Sequence, residues 1–113
     1  MADCIFCKIA AGEIPSEKVY EDEEMIIIKD INPQTKIHLL AIPKKHFESV
    51  SDMTESDAQI VGRCLYKIGK MADKLGLENG YRIVSNKGDD GCQSVKHLHI
   101  HVLGGQKLAE KMC

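Results

Sequence analysis

The sequence contains no tryptophan, and its only other aromatic residues, histidine aside, are two phenylalanines and three tyrosines. It also lacks a basic cluster, because acidic and basic residues are interleaved and the formal net charge is −2. Surfaces that bind nucleic acids combine a basic stripe, which neutralises phosphates, with aromatic rings that stack on bases. The sequence therefore argues against a nucleic-acid partner and favours a small ligand or a protein.

Long apolar runs are absent as well. No segment approaches the roughly 18 apolar residues that are needed to cross a membrane. The N-terminal sequence MADCIFCKIAAGEIP has an acidic residue near its start and no apolar core of the kind found in signal peptides. We therefore expect a cytoplasmic protein with no membrane partner.

The chain has five cysteines, an odd number whose spacing does not resemble a disulfide framework. A reducing compartment fits this cysteine content, with Cys64 buried in a helix and Cys113 on the C-terminal tail. The length of 113 residues, 43% of them hydrophobic, is enough to bury roughly two thirds of the unfolded surface. We expect one domain spanning residues 1–113.

The first half of the chain predicts a short helix followed by three strands. The helix begins near the Cys-x-x-Cys sequence CIFC and is ended by Gly12. Two β-prone runs, 17–22 and 24–30, flank an acidic turn and predict a hairpin. The apolar run 37–43 predicts a third strand, and the polar segment 44–53 predicts turns with one helical turn.

The second half predicts one long helix and two more strands. Thr54 and Asp57 resemble a capping box, and Gly76 is a natural helix stop. Between them, apolar or small residues recur at helical spacing: Ile60, Val61, Cys64, Leu65, Ile68, Ala72 and Leu75. Strands are predicted at 81–86 and 96–105. These elements favour the α+β class, with about five antiparallel strands, one long helix and a short N-terminal helix.

The last predicted strand carries three of the five histidines at alternate positions. Successive side chains of a strand point to opposite faces, so His97, His99 and His101 share one face. The intervening residues Leu98, Ile100 and Val102 share the other face and are expected to pack against the long helix. The histidine face is then left for an open or polar surface.

Alternation alone leaves three interpretations of these histidines. They could be surface residues of a half-buried strand, they could chelate zinc, or one imidazole could be a nucleophile held by a hydrogen bond from its second nitrogen. The glycine-rich loop before the strand offers Asn86, Gln93, Ser94 and flexible main-chain N–H groups. Such a loop can bind an anion, which favours a phosphorylated ligand over a simple hairpin connection.

The sequence HLHIHVL resembles the alternating histidine motif of the histidine triad superfamily of nucleotide hydrolases and transferases. The resemblance extends along nearly the whole chain, through CIFCKI, EIPSEKVYEDE, KDINPQTKIHLLAIPKKH, GYRIVSNKG and GCQSVKHLHIHVLGG. These segments resemble the Hint branch, the purine nucleoside phosphoramidases. The resemblance implies hydrolysis of adenosine phosphoramidates such as AMP-lysine, and a homodimer whose sheets join across the interface.

The resemblance also implies the roles of the catalytic residues. His99 would attack the α-phosphorus and form a nucleotidyl-histidine, and His101 would support the phosphate. His38 would be the additional active-site histidine on a neighbouring strand. Ser94 corresponds to the hydroxyl that assists the phosphate or the leaving group.

By the same resemblance, Asp30 would bind the ribose hydroxyls, and Asn86 and Gln93 would line the phosphate and ribose site. Apolar residues would form the purine pocket: Ile5, Phe6, Ile9, Ile14 and Ile28. Ile31, which follows Asp30, would also bind the nucleotide. For the isoleucines, ordinary core packing is an equally good interpretation from the sequence alone. Some relatives carry an aromatic residue at the position of Ile28.

Cys4 and Cys7 could share a zinc ion, although one Cys-x-x-Cys supplies only half of a tetrahedral site. In histidine triad members that keep this pair, the site is completed by two histidines, which correspond to His46 and His97. The resemblance thus implies a structural zinc that the chemistry does not require. The alternative is a pair of reduced or redox-active cysteines on a short helix.

Three rival functions remain at this point. One is a dinucleoside polyphosphate hydrolase of the Fhit branch, although HVLGG after the triad resembles Hint. Another is a nucleotide-binding adaptor with weak catalysis, which the complete set of histidines and Ser94 argues against. The third is a zinc hydrolase with His97, His99 and His101 as catalytic ligands.

Overall fold

The computed structural model describes residues 3–111, and Cys113 lies outside them. Its strands are β1 (Lys18–Glu21), β2 (Met25–Lys29), β3 (Ile37–Pro43), β4 (Tyr81–Val84) and β5 (Ile100–Gly104). They form a five-stranded antiparallel sheet in the order β1-β2-β3-β5-β4. The helices are α1 (Ile5–Ala10) and α2 (Glu55–Met71), with short 3-10 turns at Val50–Asp52 and Asp73–Leu75. The predicted α+β class is confirmed.

Helix α1 lies on one face of the sheet. The Cys4 side chain caps it by accepting a hydrogen bond from the Cys7 main-chain N–H, at 3.4 Å. Two turns later Gly12 adopts a left-handed conformation, with φ of 80°, and the chain turns away as predicted. The apolar face of α1 packs on β2 and β3 in a buried cluster: Phe6, Ile9, Ile26, Ile28, Leu40 and Ile42.

The β1–β2 hairpin is closed by Asp22, whose Oδ1 accepts hydrogen bonds from the N–H groups of Glu24 and Met25 at 2.8 and 2.9 Å. The same carboxylate accepts from the Tyr20 hydroxyl at 2.8 Å and forms an ion pair with Lys67 of α2. Burial raises the pKa of Asp22, but the hydrogen bonds from Lys67, Tyr20 and the two amides outweigh it and hold this pKa well below the ordinary value. The hairpin is thereby tied to α2.

Helix α2 covers the opposite face of the sheet. It begins with the predicted capping box, because Thr54 Oγ1 accepts from the Asp57 N–H and the Asp57 carboxylate accepts from the Thr54 N–H. A 3-10 turn then leads to Gly76, which has φ of 82°. The buried residues of α2 and of the turn that follows it pack against the apolar residues of the predicted last strand, as expected. The cluster includes Cys64, Ile68, Ala72, Leu98, Ile100 and Val102. The prediction for Leu65 is wrong, since 43% of it is exposed.

The predicted final strand, 96–105, begins too early. Pairing of β5 with β3 ends at Ile100 and Ala41, and continuing this register would place Leu98 opposite Pro43. Proline has no N–H to donate, so the ladder cannot continue there. The Leu98 N–H instead donates to the Phe47 carbonyl at 2.8 Å. His97 and His99 therefore precede the strand, although the alternation of their side chains with Leu98 and Ile100 is kept.

A search of the described part of the chain for a helix that is long and apolar enough to span a membrane finds none.

Candidate active site and metal centre

His99 lies under α1, on the face of the sheet opposite α2. Its ring is 6% exposed and packs edge-on against Phe6, with ring centroids 4.9 Å apart. Its Nδ1 lies 2.8 Å from the main-chain carbonyl oxygen of His97, which can only accept a hydrogen bond. In the neutral ring Nδ1 therefore carries the proton, and Nε2 keeps a free lone pair. This is the protonation state that a nucleophilic imidazole needs.

His38 and His101 form a second pair beside His99. Nε2 of His38 lies 2.9 Å from Nδ1 of His101, and the His99 and His101 ring centroids are 5.1 Å apart. Burial lowers the pKa of His38, and the nearby Asp30 carboxylate only partly opposes this effect. The pKa of His101 is also lowered, by burial first and then by the neighbouring His99 and His38. Both rings are therefore neutral at neutral pH.

Asp30 stands at the edge of this histidine group. Its Oδ2 is 3.4 Å from Nε2 of His38, and its Oδ1 accepts from the Asn32 N–H at 2.8 Å. A cavity of about 430 Å³ opens beside the pair, lined by Gln34, His38, Arg82, Val84, Asn86 and His101, together with Leu103. The cavity places Asn86 with the two histidines.

Arg82 is a cavity residue that the sequence reasoning missed. Val84 of β4 pairs with His101, so Arg82, two residues earlier, points to the same face of the sheet. Its guanidinium donates to the Ala109 carbonyl at 2.7 Å, which holds the C-terminal segment against β4. Side-chain alternation along the predicted strand 81–86 could have placed Arg82 on this face. No comparable signal marked Gln34, whose contact with the site is made by its main chain.

The glycine-rich loop does not place all of its predicted residues at the histidines. The Gln93 side chain braces the loop, accepting from the Gly88 N–H at 3.1 Å and donating to the Glu48 carbonyl at 2.6 Å. Ser94 is exposed and lines a different cavity of about 360 Å³, together with Cys4 and His46. Ser94 is therefore not among the described residues that line the cavity beside His101.

The predicted purine-pocket residues divide into two groups. Phe6, Ile9 and Ile28 are buried in the cluster beneath α1, and Ile14 is partly buried against it. In contrast, Ile5 is 45% exposed and Ile31, next to Asp30, is fully exposed. An isolated apolar side chain in water needs no explanation by itself. Here, however, Ile31 adjoins the carboxylate predicted to bind ribose.

Cys4, Cys7, His46 and His97 converge on one point, with their ligand atoms within 4.8 Å of one another. Sγ of Cys4 is 3.3 Å from Nδ1 of His97, and Sγ of Cys7 is 3.4 Å from Nδ1 of His46. The two Nδ1 atoms are 3.1 Å apart. Ligand atoms of a tetrahedral zinc with two sulfurs and two nitrogens lie roughly 3.3–3.8 Å apart, so the four residues fit this ion.

The buried His97 ring is oriented for metal binding by its other nitrogen. Nε2 of His97 donates to the Pro43 carbonyl at 2.7 Å, which leaves Nδ1 free to face the two sulfurs. A metal-bound histidine commonly donates its remaining N–H to such an acceptor. The three triad histidines do not converge among the described residues, since His99 bonds the His97 carbonyl and His101 bonds His38. The zinc hydrolase that uses all three as ligands is therefore not supported.

Comparisons with known proteins identify the family of the chain. The family model described as "Scavenger mRNA decapping enzyme C-term binding" matches residues 3–112. The chain is 47% identical to Protein HitA of Neisseria gonorrhoeae over 104 residues, which cover 92% of this chain and 97% of that protein. It is 50% identical to an uncharacterized HIT-like protein of Chlamydia muridarum, over 92% of this chain and 82% of that protein.

Solved structures are similar over the same length. A histidine triad protein from Clostridium difficile superposes with a TM-score of 0.94 at 46% identity, covering 98% of this chain and 97% of that one. A HIT family hydrolase from Legionella pneumophila gives a TM-score of 0.91 at 43% identity, covering 96% of this chain and 97% of that one. Both similarities include the sheet and the segments that carry the histidines.

Proposed function

Because the chain belongs to the histidine triad superfamily, we propose that it is a hydrolase that cleaves the P–N bond of purine nucleoside phosphoramidates such as AMP-lysine. The observation that supports this proposal most directly is the hydrogen bond from Nδ1 of His99 to the His97 carbonyl, at 2.8 Å. It leaves Nε2 of His99 with a free lone pair. The neighbouring His101 ring, whose centroid is 5.1 Å from that of His99, lines a cavity together with the polar side chain of Asn86. A nucleophile held in one orientation avoids the entropic cost of ordering it during the reaction.

The reaction proceeds in two displacements at phosphorus. In the first, Nε2 of His99 attacks the α-phosphorus, the P–Nε2 bond forms and the bond to the amine breaks. The leaving amine takes up one proton from solvent. The His99 ring becomes a nucleotidyl-imidazolium, and the His97 carbonyl stabilises its positive charge through the retained Nδ1–H bond.

In the second displacement, water attacks the same phosphorus and the P–Nε2 bond breaks. The nucleoside monophosphate leaves, one proton of the water passes to solvent, and His99 returns to its neutral form. Dividing one difficult substitution into two easier ones is the usual advantage of a covalent intermediate. His101 and Asn86, which line the cavity, bind the phosphate during both steps.

The nucleoside is bound between α1 and the end of β2. The apolar cluster around Phe6 and Ile28 supplies a buried floor, and the exposed Ile5 and Ile31 supply side chains that a purine would cover. Asp30 offers carboxylate oxygens to the two ribose hydroxyls. Burial of a flat apolar base against such a surface contributes roughly 25 cal/mol per Å² of apolar area removed from water.

The experiment that tests this function is capture of the covalent intermediate. The protein would be mixed with adenosine phosphoramidate, quenched in base, in which a phosphorylated imidazole survives, and digested for mass spectrometry. We expect a mass increase of one nucleotidyl group on the peptide that contains His99. Faster turnover of diadenosine polyphosphates than of phosphoramidates would instead assign the protein to the rival hydrolase activity.

We further propose that the four-residue centre binds a structural zinc. The ion would neutralise the two thiolates and would crosslink α1, the segment after β3 and the segment before β5. The last two segments are already joined by the hydrogen bond from the Leu98 N–H to the Phe47 carbonyl, so the ion would add α1 to them. Thiolate ligands persist in a reducing environment, so the same reasoning favours a cytoplasmic location.

The proposed homodimer forms through the open edge of the sheet at β4. Four apolar side chains of α2 and β4 are exposed and would form the apolar part of this interface: Leu65, Tyr66, Tyr81 and Ile83. Gly69 of α2 lies next to this surface, because a Cβ at this position would lie 3.7 Å from the Tyr81 hydroxyl. A second copy of the chain, paired strand to strand at β4, would cover both the unpaired main chain and the apolar surface.

A further inference from the structure

The protonation of His38 can be deduced from one main-chain contact. Nδ1 of His38 lies 3.0 Å from the main-chain nitrogen of Gln34. A main-chain N–H can only donate, so Nδ1 of His38 must be the acceptor and carries no proton. A neutral imidazole has one N–H, and burial favours the neutral form of His38. The proton of His38 is therefore on Nε2.

This assignment determines the protonation of His101 in turn. The Nε2–H of His38 faces Nδ1 of His101 at 2.9 Å, with Oδ2 of Asp30 also within 3.4 Å. Since His38 donates, Nδ1 of His101 accepts, and the single proton of the neutral His101 ring must be on its Nε2. A chain of two hydrogen bonds thus leads from the Gln34 amide to the protonation state of His101.

We propose that the main-chain amide of Gln34 is a positioning group that holds His101 as its Nε2–H form, so that His101 acts as a neutral hydrogen-bond donor to the phosphoryl oxygens. This inference rests on the proposed function for its substrate, but the protonation of the two rings is a property of the free protein. His99 has the opposite arrangement, with its proton on Nδ1. At Nε2, His99 therefore offers a lone pair, whereas His101 offers an N–H that can donate a hydrogen bond.

The same contacts exclude His101 as the acid that protonates the leaving amine. Loss of the Nε2 proton would turn neutral His101 into an imidazolate, unless Nε2 of His38 passed its own proton to Nδ1 of His101. His38 would then become an imidazolate beside the Asp30 carboxylate, and these two negative charges would repel each other. His101 therefore stabilises charge without transferring its proton, and the leaving group obtains its proton elsewhere.

The Gln34 amide also explains why a second cluster of potential metal ligands is not a metal site. Asp30, His38 and His101 place ligand atoms within 4.8 Å of one another. Metal binding at Nε2 of His38 would require the ring proton to move to Nδ1, where it would meet the N–H of Gln34. In the cysteine-containing centre, by contrast, Nε2 of His97 faces a carbonyl and can keep the proton.

The first test is nuclear magnetic resonance of protein labelled with 15N-histidine. Protonated and unprotonated ring nitrogens differ widely in 15N chemical shift, so each form is identified directly. We expect His38 and His101 both to be protonated at Nε2 in the free protein. A spectrum with the proton of His101 on Nδ1 would overturn the inference, whether or not the protein hydrolyses phosphoramidates.

Variants at Gln34 test the origin of this arrangement. Gln34→Pro removes the main-chain donor, whereas Gln34→Ala keeps it and removes only the side-chain bond to the Asn32 carbonyl. We expect the form of His38 and His101 that is protonated at Nδ1 to become detectable in Gln34→Pro and to stay absent in Gln34→Ala. Unchanged spectra in a folded Gln34→Pro protein would contradict the role of the amide.

Kinetics of His101 variants test the function of the donor, and they do not depend on Gln34→Pro folding. The amide of His101→Gln can accept from His38 through its oxygen and donate through its nitrogen, whereas His101→Leu can do neither. Loss of one transition-state donor typically lowers kcat about 100-fold or more, so we expect that loss in His101→Leu and at least a tenfold higher kcat in His101→Gln. Equal losses would indicate proton transfer by His101. Absence of turnover in the wild type, with the expected spectra, would refute the proposed function alone.

Discussion

The main-chain carbonyl of His97 accepts the Nδ1–H of His99 at 2.8 Å, while the side chain of His97 faces Cys4, Cys7 and His46. One residue therefore belongs to the proposed zinc centre through its ring and to the proposed catalytic site through its main chain. Phe6, which lies between the two cysteines, also packs on the His99 ring. The metal centre is thus built from the groups that orient the nucleophile.

Replacement of His99 tests its role as the nucleophile. His99→Ala should reduce phosphoramidate hydrolysis to background, because neither of the other two triad histidines has a free Nε2. Nε2 of His97 donates to the Pro43 carbonyl, and Nε2 of His101 carries the ring proton. Binding of AMP, followed by calorimetry, should change by less than about tenfold, since the base and ribose contacts remain. Hydrolysis that survives in this variant, at more than a small fraction of the wild-type rate, would refute the assignment.

Metal content tests the four-residue centre. Purified wild-type protein should contain about one zinc per chain. Cys7→Ala should lose the ion, whereas Cys92→Ala, which alters an exposed loop cysteine, should keep it. Elemental analysis of both variants gives the answer, and a wild-type protein that is stable and metal-free after purification in zinc-containing medium would contradict the proposal.

Removal of the metal should affect stability and catalysis together. We expect a chelator to lower Tm by about 10 °C or more, because loss of a structural zinc costs several kcal/mol and each kcal/mol corresponds to roughly 4–8 °C in a domain of this size. The His99 ring should also lose its fixed orientation, seen as a change in its 15N shifts. Full catalysis with an unchanged His99 spectrum after complete zinc removal would show that zinc is not needed to hold His97 in place.

A single substitution at the β4 edge tests the homodimer. Ile83→Glu places a charge in the centre of the proposed interface and should yield a monomer by sedimentation velocity, whereas the wild type should sediment as a dimer. Val50→Glu is the matched control, because Val50 is also apolar and exposed but lies in the turn before α2. A wild-type monomer at micromolar concentration, or a dimer that withstands Ile83→Glu, would exclude this interface.

The hairpin carboxylate Asp22 should make stability depend on acid. Its folded pKa is lowered, so its contribution is fully present above the unfolded pKa near 4 and is lost as the pH falls through the folded pKa. Denaturant unfolding between pH 7 and pH 2 should therefore show a decline in stability below about pH 4. Asp22→Asn should be less stable at pH 7 and approach the wild type in acid, and Lys67→Met should reduce the same dependence.

Local patterns were sufficient to predict much of the fold. The capping box at Thr54, the helix stops at Gly12 and Gly76 and the two faces of the last strand each depend on neighbouring residues only. The convergence of Cys4, Cys7, His46 and His97 was implied by resemblance, and the structure brings the four together. The resemblance of the sequence motifs was enough to name these four residues, although they are far apart in the sequence.

Features that depend on residues distant along the chain could not be predicted from the sequence. The last strand begins at Ile100 because the residue that would pair with Leu98 is a proline 55 positions earlier in the chain. Leu65 has the same helical spacing as the buried residues of α2, but the face of α2 that packs on the sheet is too narrow to include it. The Gln34 amide meets His38 only because the loop before β3 folds back, and main-chain contacts leave no mark on residue identity.

The hydrogen bond from the Leu98 N–H to the Phe47 carbonyl has a consequence for how the chain can vary in length. It anchors the extended segment at one end, while the ladder of β5 anchors the other. Deleting a single residue between them would exchange the two faces, turning an imidazole into the core and an aliphatic side chain toward the nucleotide. Insertions and deletions among related chains should therefore fall in the exposed loop before Gln93 and be absent between His97 and Val102, where the residue count itself maintains the site.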